Sequence, residues 1–271
     1  MAEGSDPTEV FWEAVDVFRE RLTSQLHDRW AMWLHGHEKR IVHEVVGGLL
    51  ARQITLAVEF ISNPSTWNAH SAPLFLRSMA ENCITIAWIL KEPEERAEKF
   101  VAYGLGQENL LLEHAKVILQ YTGIDPSDDA DIEKWERWLN SERYTFLTEV
   151  NVGNWGPSLR EMAEEVGLIS LHRNDYARWS GSTHSMWHHV VRFNLEPCTT
   201  PLHGYHRIPT ILRSTPEAAF MLTAAEYVDL SLRSFDEATG IRLEGLSAVE
   251  TLNQELEKMP KVPGYEADSG S

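Results

Sequence analysis

Apolar positions recur along most of this chain at spacings of three and four, the period of an α-helix. Phe11, Val15, Phe18, Leu22 and Leu26 form one such stripe, which Trp30, Trp33 and Leu34 extend. Asp6-Pro7-Thr8-Glu9 precedes it, giving a capping acid, a proline at the first helical position and an acid in the first turn. The same pattern predicts helices over about 38–61, 71–90, 93–121, 129–148 and 157–167. Pro64, Gly123 and Gly167 serve as stops. Residues 170–193 read as helix interrupted at Gly181. A long helix is expected over 216–240, capped by Ser214 or Thr215, and a short one over about 248–258. No stretch alternates convincingly at the period of a strand. The predicted fold is all-α: a multi-helix antiparallel bundle of about seven to nine helices with one long irregular loop near residues 194–215. Pro197, Pro201 and Pro209 keep that loop from being helical throughout. The expected organisation is a single helical domain over 7–258, followed by a disordered tail over 259–271.

Composition narrows the class. Hydrophobic residues make up 43% of the chain and there are ten tryptophans, as in a globular protein. The only two cysteines, Cys83 and Cys198, include no CxxC pair, which argues against a disulfide framework or a cysteine zinc site. The polar, acidic start MAEGSDPTEV is not a secretory leader, and no apolar run approaches the ~20 residues of a membrane span. A cytoplasmic location away from membranes is the expectation. The net charge of −17 opposes broad, non-specific nucleic-acid binding, which depends on neutralising phosphates.

One stretch departs from this acidity. His172–Arg213 holds six of the twelve histidines and five arginines against two acids, a formal +3. A positive, imidazole-rich island on an acidic protein is where an anionic ligand, a metal or a proton-transfer step is expected. A second feature lies on the third helix. From Ala69 to Leu90 the only formally charged residues are Arg77 and Glu81, four apart on one face of an otherwise apolar helix. Two buried charges need partners, because desolvation costs several kcal/mol each. One reading pairs the two with each other, four apart along the helix, although acid-before-base is the better order for such a pair; the other takes as partner the segment His172–Arg192, where Tyr176, Ser180, His184 and His188 recur at a spacing of four. An interior polar site of Arg77, Glu81, Tyr176, Ser180 and His184 follows, covered by the long loop bearing His203, Tyr205 and His206.

The stretch FLRSMAENCITIAWILKEPEERAEKFVAY, with the later SLREMAEEVGL and YARWSGSTH, resembles a bacterial all-helical family of unknown function. Its signature is R-x3-E on a buried helix followed by Y-x3-S-x3-H, which here falls on Arg77, Glu81, Tyr176, Ser180 and His184. The resemblance covers about residues 40–195 and implies a helical fold with a polar centre, without an activity. More distantly, Arg178 and His184 are similar to the R-x4-6-H motif of the HEPN superfamily, whose members often dimerise and often cleave RNA without metal.

That distant resemblance implies a leading functional expectation: a metal-independent RNA-cleaving or nucleotide-binding protein of toxin or defence type, with a homodimer as one form. His184 would take the proton from a ribose 2′-hydroxyl while Arg178 held the phosphate, giving a 2′,3′-cyclic phosphate. RNA or a nucleotide would bind at the local basic site, and no cofactor is expected. The alternative is a non-catalytic helical module that binds a protein or ligand, its polar cluster being structural. Third is a metal-dependent hydrolase using His184, His188 and Glu81.

Overall fold

The computed structural model describes residues 6–33, 40–146, 151–202, 204, 206–211 and 215–258. Among these are ten α-helices and one two-stranded antiparallel ribbon. The helices are α1 (Pro7–Met32), α2 (Arg40–Ile61), α3 (Ala72–Lys91), α4 (Pro93–Tyr121), α5 (Ala130–Phe146) and α6 (Leu159–Glu165). After a π-helical segment, Leu171–Tyr176, come α7 (Ala177–Thr183) and α8 (Trp187–Phe193), then α9 (Ala219–Thr239) and α10 (Ala248–Glu257). The all-α expectation holds, with one helix more than the upper count. The extra helix arises because the 170–193 segment contributes both α7 and α8.

The described residues form two compact units, one falling within 1–33, 50–83 and 170–271, the other within 34–49 and 84–169. In the first, α1 packs on α10 and α10 on α9. Phe18, Leu22, Phe60, Leu76, Met79, Phe235 and Leu252 are fully buried. Two polar devices tie these helices. The guanidinium of Arg29 on α1 donates twice to the carboxylate of Asp236 on α9, each bond 2.7 Å. Asp229 on α9 accepts from the backbone N–H groups of Ala248 and Val249 at 2.7 and 3.1 Å, satisfying donors that α10 leaves open at its start. A third network lies among α2, α3 and α9. Gln53 donates to the carbonyls of Met79 and Tyr227 and accepts from Asn82. Beside it, burial pushes the Cys83 thiol up to about 12, so this cysteine is a packed, unreactive group.

In the second unit, α4 and α5 form a helical hairpin around Leu105, Leu112, Ile132 and Leu139. Arg96 lies 3.9 Å over the Trp88 ring and bonds the Trp88 carbonyl and the carboxylates of Glu92 and Glu165. The Arg96 guanidinium holds the Glu165 carboxyl below its usual range.

The local signals explain the helix ends. Asp6 caps α1 through Thr8 N–H, with proline in the first turn. Ser158–Glu161 and Ser247–Glu250 form reciprocal capping boxes at α6 and α10. Gly123, Gly167 and Gly240 take positive φ where helices stop. α2 is long and apolar enough to cross a membrane by length and composition alone, yet 44% of its apolar window is buried within the protein and it carries Glu44, Arg52 and Glu59.

Two expectations are corrected. The segment 194–215 is not wholly irregular: β1 (Leu195–Pro197) pairs with β2 (Arg207–Pro209), Glu196 opposite Ile208. Three-residue strands flanked by prolines are too short for alternation to register. The last long helix starts at Ala219 rather than Pro216, because the Glu217 N–H is drawn to the Trp67 carbonyl at 2.8 Å. Ser214 and the tail 259–271 lie outside the described residues.

Truncating one member of a buried ion pair leaves the other uncompensated. Arg29→Ala is expected to cost about 3 kcal/mol of stability, measured by urea unfolding. A loss below ~0.5 kcal/mol, the range of ordinary surface changes, would refute this role.

Candidate functional site

The site is built from α3, the π-helical segment, α7 and α8. Arg77 on α3 is half-buried; its Nε donates to Ser180 Oγ at 3.0 Å and a terminal nitrogen donates to Tyr176 Oη at 3.1 Å. The guanidinium also lies 5.2 Å from the Tyr176 ring centroid, and the His172 imidazole stacks on that ring at 5.2 Å. The structure therefore joins three of the residues expected to meet across a hundred positions of sequence: Arg77, Tyr176 and Ser180.

Glu81 is not among them. It is exposed, on a strip of α3 with Leu74 and Ser78. A spacing of four puts Arg77 and Glu81 near each other in azimuth, but the arginine side chain bends onto the hydroxyls of Tyr176 and Ser180 while the carboxylate stays in water. The expected Arg77–Glu81–His184 centre is corrected accordingly.

His184 is also exposed, at the cap that ends α7. The expected break at Gly181 falls later. The helix runs through Gly181 to Thr183, and the chain turns at Ser185, which has φ +50. Ser185 N–H bonds the Ser182 carbonyl and Met186 N–H the Gly181 carbonyl, the paired bonds of a helix end that normally uses glycine. A serine in the left-handed region costs about 1 kcal/mol or more. Gly181 itself is buried, and a Cβ there would overlap the His188 imidazole. It is a seat for that ring, not a helix breaker.

Beyond this turn lies a cavity of about 220 Å³ lined by Arg178, Trp179, Ser182, His188, His189, Arg192, Phe193, Phe220, Ala69 and Pro73. Two i,i+4 pairs supply its polar groups: Arg178 and Ser182 from α7, His188 and Arg192 from α8. None of these lining residues is acidic, so the wall carries a formal +2 in a chain of −17. Trp179 is buried, its indole N–H donating to Tyr227 Oη at 3.0 Å, and packs edge-on against Phe220. Burial pushes the Tyr227 phenol up, so it remains a neutral anchor.

His189 forms the inner wall. It is buried, with Nε2 3.4 Å from His70 Nδ1 and its ring tilted against Phe193. Burial, then the nearby imidazoles of His70 and His188, lower its pKa. His70 is held in a turn whose Asn68 side chain accepts from the N–H groups of His70 and Ser71 at 2.9 and 3.0 Å.

Of the two residues assigned catalysis by sequence, Arg178 lines the cavity and His184 does not; His188 is the α8 imidazole that does. His206 is exposed, on the segment leading into β2, and is not a lining residue; His203 and Tyr205 lie outside the described residues. No described residue of 194–215 lines the cavity, so the covering role expected of that loop is not seen among them. Among the described residues no three His, Cys, Asp or Glu side chains are grouped to hold a metal ion, and the His184–His188–Glu81 set is not assembled. Sequence reasoning missed His70, His189 and Arg192. Arg192 was readable as the i+4 neighbour of His188, whereas the approach of His70 to His189 is tertiary and leaves no local mark.

This helical protein with an Arg/His cavity belongs to a family without an assigned activity. Residues 43–197, more than half of the chain, match the Family of unknown function (DUF5677), and the chain is a member of it. No curated protein and no solved structure matches.

Two expectations follow. Arg77→Ala strands two partly buried hydroxyls and is expected to cost about 1–3 kcal/mol, whereas Glu81→Gln changes stability by less than ~0.5 kcal/mol; equal effects in denaturant melts would reject the asymmetry. His189 is held neutral where the unfolded imidazole, near 6.5, begins to charge. The unfolded chain then binds more protons, so stability is full above about 6.5 and falls as pH drops below it. His189→Gln should flatten that decline between pH 7.5 and 5.5. Identical slopes for variant and wild type would rule it out.

Proposed function

We propose that this protein binds a phosphate ester of RNA or a nucleotide in the Arg178–Arg192 cavity and cleaves RNA there without metal. The observation that carries the reading is two guanidinium-bearing and two imidazole side chains lining one concave space, with no acid among its described lining residues. Guanidinium groups hold phosphate oxygens in paired, charge-assisted hydrogen bonds and do not deprotonate. The volume, about 220 Å³, lies below the ~300–1,000 Å³ of sites that enclose drug-sized ligands. It suits a phosphate and its sugar, with a base resting at the rim beside Phe193 and Phe220.

In this reading His188 replaces His184 as the general base. Its ring accepts the proton of a ribose 2′-hydroxyl as that oxygen forms a bond to phosphorus. The 5′-oxygen leaves and takes a proton from water, and a 2′,3′-cyclic phosphate remains. Arg178 and Arg192 stabilise the charge on the phosphoryl oxygens. A cytoplasmic setting and toxin or defence use fit that chemistry.

A second reading has support of its own. The Arg77–Tyr176–Ser180 network ties α3 to the π-helical segment and α7, as a purely structural polar cluster in a ligand-binding module would.

Fluorescent single-stranded RNA separates the two. Wild type is expected to bind it and release cyclic-phosphate ends. The double change Arg178→Ala and Arg192→Ala is expected to weaken binding at least tenfold, and His188→Ala to abolish cleavage while binding persists. Binding that depends on the arginines without cleavage supports the non-catalytic module. Binding indifferent to both arginines overturns the site.

A further inference from the structure

A charged imidazole has two N–H donors, and a buried one needs an acceptor for each. His189 has an acceptor for only one among the described residues. Its side chain lines the Arg178–Arg192 cavity although the residue is only 7% exposed. Nε2 faces His70 Nδ1 at 3.4 Å. Nδ1 has no hydrogen-bond partner among the described residues and is not sealed off, so it opens toward the cavity. The groups around the ring supply no counter-charge. His70 stands in the turn before α3, Arg178 on α7, and His188 and Arg192 on α8 itself, while α9 contributes Phe220. Arg77 on α3 is engaged by Tyr176 and Ser180, and Glu196 of β1, the strand packed on α8, is exposed. Arg178 and Arg192 lie 5.0 and 5.5 Å from the ring centroids of Trp179 and Phe193, and no described lining residue is acidic.

With the cavity read as a phosphate site, as above, we propose that His189 is a further phosphate-contacting residue, that it takes up a proton as the anion binds, and that His70 is its positioning residue. One proton passes from solvent to His189 Nδ1, which then donates to a phosphoryl oxygen in a charge-assisted bond. His189 Nε2–H donates to the Nδ1 lone pair of His70, which stays neutral with its own proton on Nε2. His70 is held for this part: the Asn68 side chain accepts its backbone N–H at 2.9 Å, and Phe193 flanks both imidazoles. Burial, then His70 and His188, keep the His189 ring neutral until an anion supplies the missing charge. A group that gains a proton on binding tightens the complex as pH falls, by at most about tenfold per pH unit for one proton.

The probe is a short 2′-O-methyl oligouridylate, whose blocked 2′-oxygen prevents cleavage and whose diesters and uracils do not titrate between pH 5.5 and 7.5. Calorimetry in two buffers of different protonation heat counts the protons taken up. Wild type is expected to bind at least about threefold more tightly at pH 5.5 than at pH 7.5. It is also expected to take up more protons than His189→Asn, whose amide stands near the Nδ1 position and cannot titrate. His70→Ala is expected to lose the extra uptake, and His70→Asn, whose carbonyl oxygen accepts, to regain it. Binding that needs Arg178 and Arg192 but has the same pH dependence in wild type and His189→Asn overturns this role and leaves the phosphate site standing. Uptake unchanged in His70→Ala overturns the proposal in the same way. Binding indifferent to both arginines removes the site and the role of His189 with it. If His189→Asn does not fold, NMR titration of the wild-type His189 ring decides: its midpoint must rise with the probe bound, and an unmoved midpoint overturns the proposal.

Discussion

The arrangement around the cavity depends on how the guanidinium of Arg77 is satisfied. A charge on a largely apolar helix must find acceptors, and it finds the hydroxyls of Tyr176 and Ser180 at 3.1 and 3.0 Å. Those two residues are four apart, so both point at α3 from one face of the helix ending in α7. Arg178 and Ser182, each two positions further on, are turned about 200° away from that face. They line the cavity for the same reason that Tyr176 and Ser180 do not. The π-helical segment Leu171–Tyr176 precedes this register. A wider turn of this kind shifts the phase of every later residue by roughly one position, and such turns concentrate at functional sites.

Much of the helical frame was legible in the sequence because caps and stops act locally. Asp6-Pro7, Pro93, Gly123, Gly167 and Gly240 all mark real boundaries. The Arg77 pairing was legible for a different reason: desolvation demands a partner, and only a polar stripe at helical spacing could supply one. The same logic failed for Glu81, because azimuth on a helix does not say whether a side chain is covered. It failed again for His184, because the helix continues through Gly181 and stops two residues later at Thr183, leaving that imidazole at an exposed cap. In the sequence Gly181 signals an interruption of the helix; its real constraint is the ring of His188 lying where a Cβ would be. His70 was unreadable, since nothing local connects it to a histidine 119 positions away.

The electrostatics of the cavity follow from what is missing beside its arginines. Arg29 and Arg96 are held by carboxylates, which cancel their charge. Arg77 is held by two neutral hydroxyl oxygens, and the described residues lining the cavity with Arg178 and Arg192 include no acid. The described lining residues therefore carry a formal +2 in a chain of −17. His189, kept neutral by burial, adds hydrogen-bonding capacity without adding charge.

The helix break between α7 and α8 makes the two polar pairs converge. Had the helix run on unbroken, His188 would have continued the stripe of Tyr176 and Ser180, on the face opposite Arg178. The turn at Ser185 redirects the chain so that His188 and Arg192 meet Arg178 and Ser182 across one space. The left-handed serine carries a cost that glycine would avoid. What the residues around it secure is the geometry after the turn: the His188 ring seated on Gly181, His189 buried beside His70, and Phe193 packed on both imidazoles. A strained residue persists only where its surroundings over-determine it. Here those surroundings are the cavity walls themselves, which makes the turn part of the site rather than a connection between helices.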